Sequence, residues 1–294
     1  MDLMQLLFHT GAHFTEEERL MRSLLKNKDL FSAYGVAVPG PGKYRKLLRQ
    51  TMDALDVSEP AENAREVLLD AILDNASADR VILSNSHFFG PARTALQQGV
   101  IYPRAPTRML QMANIFQTDE IELFMALKNP ATFLPAVRDR AQPGDPTEFM
   151  DGMDPRAVRW SDTLVRIRDA VPRISVTVWC SEDSPLIWPE VIREMGRIEH
   201  GDEIVGGYDL LADIMAPEGM SRFQAFVEKH PDMSEAQRRR AMVAFLEKFA
   251  VDDAIEEELD MPGWTEQLVD EMTEIYDDDV FDIARMPGVQ VIEP

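Results

Sequence analysis

The fold is decided by residues 6–20, whose sequence is LLFHTGAHFTEEERL. Its first residues are apolar and predict a short buried strand, and Gly11 predicts a turn directly after that strand. Thr15 followed three residues later by Glu18 has the spacing of a capping box, so we expect a helix over residues 15–27. A strand, a glycine turn and a helix in this order form the outline of a phosphate-binding loop.

The charges at the start of this helix are wrong for binding phosphate. Such a loop holds an anion with free backbone N–H groups and the positive end of the helix dipole, whereas this chain places Phe14 and the run Glu16-Glu17-Glu18 there. A carboxylate ~5 Å from a bound anion makes its binding free energy less favourable by roughly 3 kcal/mol at an effective dielectric constant of ~20, which lowers the affinity by about two decades. The sequence therefore predicts a loop that keeps its shape and has lost its anion-binding role.

Three interpretations of the glutamates remain open. Acidic residues in the first turn stabilise a helix by ~0.3–1 kcal/mol, so the run can be a simple helix start. It can instead bind a cation or an amine, or the side chains can rotate away and leave anion binding intact.

Composition excludes several classes of partner. The chain has 294 residues, of which 45% are hydrophobic, and a formal net charge of −22, which argues against nucleic acid and anionic membrane surfaces as partners. No apolar run approaches the ~18–20 residues of a membrane-spanning helix. The single cysteine, Cys180, excludes an internal disulfide and predicts a cytoplasmic location. A homo-oligomer is compatible with this composition.

Strand and helix patterns alternate along the first two thirds of the chain. This alternation predicts an α/β fold in which helices cover both faces of a parallel sheet. We expect residues 1–200 to form this α/β core, and residues 201–294 to form a mostly helical C-terminal part that packs on the core as one structural unit. The Pro-Gly-Pro-Gly sequence at residues 39–42 predicts a loop before a helix over residues 44–55.

Five stretches of the chain, taken in order, resemble bacterial members of the sulfotransferase family. These enzymes transfer a sulfuryl group from 3′-phosphoadenosine 5′-phosphosulfate (PAPS) to an acceptor. The matching stretches are residues 7–36, residues 81–90, residues 127–136, residues 160–183, and a last one that holds Tyr276, Asp279 and residues 286–289. The resemblance implies a three-layer, P-loop-like α/β fold and PAPS as the family's cofactor.

The resemblance also implies which residues would bind PAPS. Gly11, Ala12, His13 and Thr15 match the loop that contacts the 5′-phosphosulfate, and Lys128 stands where the family has an arginine that holds the 3′-phosphate.

Two further departures weaken this implied site. Phe14 replaces the lysine of the loop, and Ala136 replaces a serine of the 3′-phosphate segment. His87, just after the second matching strand, corresponds to the base that removes the proton from the acceptor hydroxyl, a task that suits the ordinary pKa of histidine.

Other chemistry has weaker support. His9 and His13 flank the glycine turn, but no third ligand with zinc-site spacing accompanies them, so we predict no metal. Glu182 and Asp183 follow a predicted strand and are either catalytic carboxylates or residues that order the next turn.

Two functions are consistent with these residues. The favoured one is a non-catalytic binding or regulatory protein that has a sulfotransferase-like fold, is degenerate in PAPS binding and holds an unknown small molecule in the family cleft. The alternative is an active sulfotransferase that acts on a hydroxyl or amine acceptor with His87 as base.

Overall fold

A computed structural model describes residues 3–16, 18–74, 76–141, 152–255, 261 and 263–294. Glu17 lies outside these residues. The strands are β1 (Gln5–His9), β2 (Val36–Ala37), β3 (Arg80–Ser84), β4 (Leu96–Gln97), β5 (Val100–Ile101), β6 (Glu120–Leu127), β7 (Ser175–Cys180) and β8 (Val289–Val291).

Six of these strands form one sheet in the order β2-β3-β1-β6-β7-β8, and every neighbouring pair in it is parallel. The other two, β4 and β5, form a separate antiparallel hairpin. The predicted α/β fold with a parallel sheet is confirmed.

Helices and short turns connect the strands. The helices are α1 (Glu18–Lys26), α2 (Lys28–Ala33), α3 (Pro41–Ala54), α4 (Ala64–Leu73), α5 (Ala105–Ile115), α6 (Pro130–Ala141), α7 (Trp160–Ala170), α8 (Ser184–Gly196), α9 (Asp209–Ile214), α10 (Pro217–Lys229), α11 (Glu235–Phe249), α12 (Asp252–Ile255) and α13 (Glu266–Ile283). None of the helices within the described ranges is both long and apolar enough to cross a membrane.

The sheet is covered on both faces, because successive side chains of a strand point to opposite sides. In β1, Leu6 and Phe8 belong to one hydrophobic cluster and Leu7 belongs to another. The first cluster includes buried residues of α3 to α7 and α13, and the second includes those of α1, α2 and α8. The result is the three-layer arrangement that the alternating pattern predicted.

Two helices begin at positions that differ from the sequence-based expectation. Helix α3 begins at Pro41 instead of Tyr44, because proline is well suited to the first helical position. Helix α1 begins at Glu18 instead of Thr15, because the chain continues beside β6 for three residues after β1. The Thr15 hydroxyl donates to the Ala12 carbonyl at 2.7 Å, within the loop.

The C-terminal part joins the molecule in two ways. Helices α9 to α11 contribute the buried residues of a small hydrophobic cluster of their own, which includes Leu211, Phe223 and Met242. Helix α13, through Met272 and Tyr276, packs into the larger cluster on the sheet. Residues 201–294, expected to be a helical extension, therefore also supply the edge strand β8.

Candidate functional site

The predicted site residues lie at the carboxyl edge of the sheet. β1 lies between β3 and β6, and the chain leaves β1 toward β2 on one side but leaves β6 toward β7 on the other. Ligands of open α/β sheets bind at such a reversal, outside the carboxyl ends of the strands. Residues 10–16, here named the Gly11 loop, follow β1 at this point.

Three of the seven backbone N–H groups of the Gly11 loop donate to acceptors elsewhere in the protein. The N–H of Thr10 donates to the Phe124 carbonyl at 3.0 Å, and the N–H of Ala12 donates to the Ala126 carbonyl at 2.9 Å. The N–H of His13 donates to the Tyr102 hydroxyl at 2.8 Å. These groups are therefore not available to cradle an anion.

A carboxylate occupies the foot of the loop. Glu16 is 4% exposed, and its Oε1 lies 2.6 Å from Nε2 of His9, which is equally buried. Burial opposes ionisation of Glu16, but the His9 ring and nearby hydrogen-bond donors outweigh it, so the pKa of Glu16 lies below its ordinary value. The predicted helix start does not describe Glu16, because this residue lies before α1 and points inward.

His9 is held by three neighbours. Its Nδ1 lies 2.9 Å from the Ser84 hydroxyl, and its ring stacks on Trp179 with centroids 5.9 Å apart. Its Nε2 faces Glu16 Oε1 at 2.6 Å, so the Glu16 carboxylate is engaged inside the protein. The loop thus places a buried negative charge where a phosphate site has donors.

Gly11 makes this arrangement sterically accessible. Its φ of +52° lies in the left-handed region, which glycine adopts without strain. A Cβ at this position would meet His9 Nε2 and Thr15 Oγ1 at 3.5 Å and Glu16 Oε1 at 3.6 Å. Phe14, with a φ of +64°, is a second left-handed residue, and these two turns bring Glu16 back under the strand end.

The His13 ring is held by Tyr102. The Tyr102 hydroxyl accepts the His13 backbone N–H at 2.8 Å and lies 2.7 Å from Nδ1 of the ring. Burial and then the nearby His87 lower the pKa of His13 to about 4. His13 is therefore neutral near pH 7, and its buried Nε2 has no hydrogen-bond partner in the described part of the chain.

His87 lies next to the Gly11 loop. Its ring is 5.1 Å from that of His13, and Asn85 Oδ1 accepts its backbone N–H. The residue is exposed, but burial of part of its ring, followed by the Arg45 guanidinium, lowers the pKa of His87. The ring is neutral near pH 7 and able to accept a proton.

The implied 3′-phosphate segment is also turned inward. Lys128 is 7% exposed, and its carbonyl accepts a hydrogen bond from the Trp160 indole at 2.8 Å. The N–H of Asn129, the next residue, donates to Glu182 at 2.8 Å. Glu182 thus fixes the turn at Asn129, which is an ordering role and not a catalytic one.

Cations gather on the other side of His87 in a cleft of about 640 Å³. This basic cleft lies between α3, α5 and the turn after β3. It is lined by six basic residues against two acidic ones, Glu18 and Asp53. The six are Arg45, Lys46, Arg49, Arg93, Arg104 and Arg108.

Sequence reasoning missed the basic cleft, although its pattern is visible. Arg45 and Arg49 are four residues apart on α3, and Arg104 and Arg108 have the same spacing at the start of α5. Residues four apart on a helix share a face. That these two pairs meet depends on how α3 and α5 pack, and no local pattern shows it.

No protein-family model and no curated protein matches the chain. At the position where the resemblance implies the 5′-phosphosulfate of PAPS, the structure has the buried Glu16 carboxylate and N–H groups that already donate inside the protein, and these residues do not fit that group. Among the described residues, no group of three or more His, Cys, Asp and Glu side chains is placed to hold a metal ion.

Proposed function

We propose that the chain is a sulfotransferase-like protein that binds a small molecule at the carboxyl edge of its sheet and does not use PAPS. One observation carries the proposal: the buried Glu16 carboxylate, paired with His9 at the foot of the Gly11 loop. A phosphate at ~5 Å from this charge would lose roughly 3 kcal/mol, or about two decades of affinity.

Two further features support the same proposal. The N–H groups of Ala12 and His13 already have internal acceptors. At the implied 3′-phosphate segment, Glu182 accepts the hydrogen bond of the Asn129 N–H, and Ala136 has no hydroxyl that could bind a phosphate. Both ends of a PAPS molecule would therefore meet carboxylates.

The test is a sulfuryl-transfer assay combined with calorimetry. We expect no transfer from PAPS to phenolic, alcohol or amine acceptors, and no binding of adenosine 3′,5′-bisphosphate in the Gly11 loop at millimolar concentration. PAPS-dependent transfer, or micromolar binding that survives changes in the basic cleft, would overturn the proposal.

A variant with the family pattern restored shows how far the loss extends. Phe14→Lys, Glu16→Gly, Glu17→Thr and Glu18→Thr together return the lysine and the Gly-Thr-Thr run. Because Ala12 and His13 keep their internal acceptors, we expect the folded variant still not to bind adenosine 3′,5′-bisphosphate in the loop. Circular dichroism checks that the variant is folded.

One observation favours the alternative function. His87 is neutral near pH 7, exposed beside the cleft and 5.1 Å from His13, which suits a base that accepts the proton of a hydroxyl acceptor. In an active sulfotransferase, His87→Ala would abolish turnover. In a binding protein there is no turnover to abolish.

We also propose a cytoplasmic location, since the chain has one cysteine and no internal disulfide. Light scattering on the purified chain decides between a monomer and the homo-oligomer that the composition permits.

A further inference from the structure

The charge of the basic cleft is opposite to that of the chain. The chain as a whole has 52 acidic and 30 basic residues, yet the cleft lining reverses this ratio to two against six. Like charges gathered in one concave site repel each other and focus a positive potential there. A cluster of this kind in an acidic protein requires a reason other than the average surface composition.

Half of these cations are neutralised by the protein itself. Arg45 pairs with Glu18 at 2.7 Å, Arg108 pairs with Asp53 at 2.9 Å, and Arg104 pairs with Asp56 at 2.6 Å. These pairs hold three guanidinium groups in fixed positions around the cleft.

The other half are free to meet a ligand. Lys46, Arg49 and Arg93 are exposed and form no ion pair with any residue that the structure describes. Lys46 and Arg49 come from α3, and Arg93 comes from the turn after β3, so they approach the cleft from different elements.

The shape of the cleft indicates more than a bare ion. Its volume of about 640 Å³ falls within the range of small-molecule sites, ~300–1,000 Å³. Met52, Phe88 and Pro91 add apolar surface to the lining, which suits the carbon skeleton of a ligand.

We propose that the basic cleft binds a small organic molecule that carries two or more oxyanion groups, with Lys46, Arg49 and Arg93 as its charge partners. This deepens the proposed function by naming the class of ligand. Guanidinium forks bind phosphate, sulfate and carboxylate alike, so the shared chemistry is a cluster of anionic oxygens on one small molecule.

His87 lines the same cleft and reports on its occupancy. Arg45 contributes to the lowered pKa of His87 in the free protein. An anion bound nearby would favour the protonated ring. We therefore expect the NMR titration of His87 to move to higher pH when the cleft is filled.

The test uses pyrophosphate and citrate as separate probes in calorimetry at low ionic strength. Binding of either probe supports the inference, and which of them binds more tightly separates phosphate from carboxylate ligands. Arg49→Gln and Arg93→Gln should each weaken binding about tenfold, the size expected for one lost charged hydrogen bond. Arg240→Gln is the matched control, since Arg240 is also an exposed helical arginine without an ion pair to a described residue.

Two outcomes would overturn the inference. One is that neither probe binds at millimolar concentration, and the other is that Arg240→Gln weakens binding as much as Arg49→Gln and Arg93→Gln do. Raising the ionic strength to about 0.3 M should weaken true cleft binding, because exposed charges are then screened.

Failure of this inference differs from failure of the proposed function. Adenosine 3′,5′-bisphosphate is also a polyanion, so the variants locate any binding that it shows. If Arg49→Gln and Arg93→Gln reduce that binding, it occurs in the basic cleft. If they leave it unchanged, it occurs in the Gly11 loop and the proposed function fails, while the pyrophosphate and citrate results still decide the inference.

Discussion

The Gly11 loop and the basic cleft are neighbours at the carboxyl edge of the sheet, where His13 of the loop contacts His87 of the cleft. They differ in whether their charged and polar groups are paired inside the protein. In the loop, a buried carboxylate meets a buried histidine, and backbone donors meet internal acceptors. In the cleft, three cations remain exposed and without ion pairs to described residues. The fold itself uses the polar groups of the loop and leaves those of the cleft for a ligand.

The largest effect is expected from a change at Glu16 in the Gly11 loop. Glu16→Gln replaces the buried carboxylate that lies 2.6 Å from His9 Nε2 with a neutral amide, so we expect the free energy of unfolding to fall by about 3 kcal/mol in urea denaturation. Glu18→Gln is the matched control, because this exposed residue pairs only with Arg45 at the surface and its loss should change stability by less than about 1 kcal/mol. Equal losses from the two variants would show that Glu16 is not a buried partner of His9.

His13 gives the loop a strong pH dependence. Its pKa is about 4 in the folded chain against 6.5 for an ordinary histidine, so between these values the unfolded chain binds a proton that the folded chain does not. Stability therefore falls as the pH falls. From about pH 7.5 to pH 5, His13 alone should remove about 2 kcal/mol of unfolding free energy.

The measurement compares urea unfolding at both pH values in the wild type and in His13→Gln. In His13→Gln, the loss of unfolding free energy between the two pH values should be smaller by about 2 kcal/mol, which is the contribution of His13. His230→Gln changes an exposed histidine and should show the same loss as the wild type. An unchanged difference in His13→Gln would mean that His13 titrates normally.

A substitution at Gly11 tests the left-handed backbone conformation of the Gly11 loop. Gly11→Ala puts a side chain on a residue with φ of +52°, which should lower the unfolding free energy by about 1 kcal/mol or more. Gly40→Ala is the control, since Gly40 has a φ of −62° and open space around its missing Cβ. Thermal unfolding of both variants makes the comparison, and a stable Gly11→Ala chain would refute the left-handed turn.

The smallest effect is expected in the cleft. Arg49→Gln and Arg93→Gln remove exposed side chains without ion pairs to described residues, so their unfolding free energies should stay within about 0.5 kcal/mol of the wild type. A larger loss in urea denaturation would mean that these residues hold the fold together and are not reserved for a ligand.

The sequence predicted those parts of the molecule that depend on local pattern. The apolar run before Gly11 and the alternation of strands and helices led to the parallel sheet, because burial on both faces leaves a continuous apolar signature. The start of α1 could not be predicted in the same way. It depends on hydrogen bonds from Thr10 and Ala12 to β6, more than a hundred residues further along the chain.

In the candidate site, too, some features follow from local sequence and others depend on contacts between distant residues. Phe14 and the glutamates showed from the sequence that the loop lacks the charges of an anion site. The inward turn of Glu16 toward His9 depends on two left-handed residues, Gly11 and Phe14, and phenylalanine rarely adopts that conformation. Similarly, the spacing of Arg45 and Arg49 was visible, but their meeting with Arg104 and Arg108 is a property of packed helices.

The helical cluster of α9 to α11 has a consequence for how the molecule opens. Its five buried residues form a third cluster, which is joined to the second one through Leu186, a residue that packs against both, and through Leu210 of α9. The chain on either side of it returns to neighbouring strands, β7 and β8. We expect this small cluster to open more readily than the sheet, so its amide protons should exchange with solvent before those of β1 and β6. Because both ends remain tethered to the sheet, the opened segment is a closed loop, which limits the entropy it gains and favours its return.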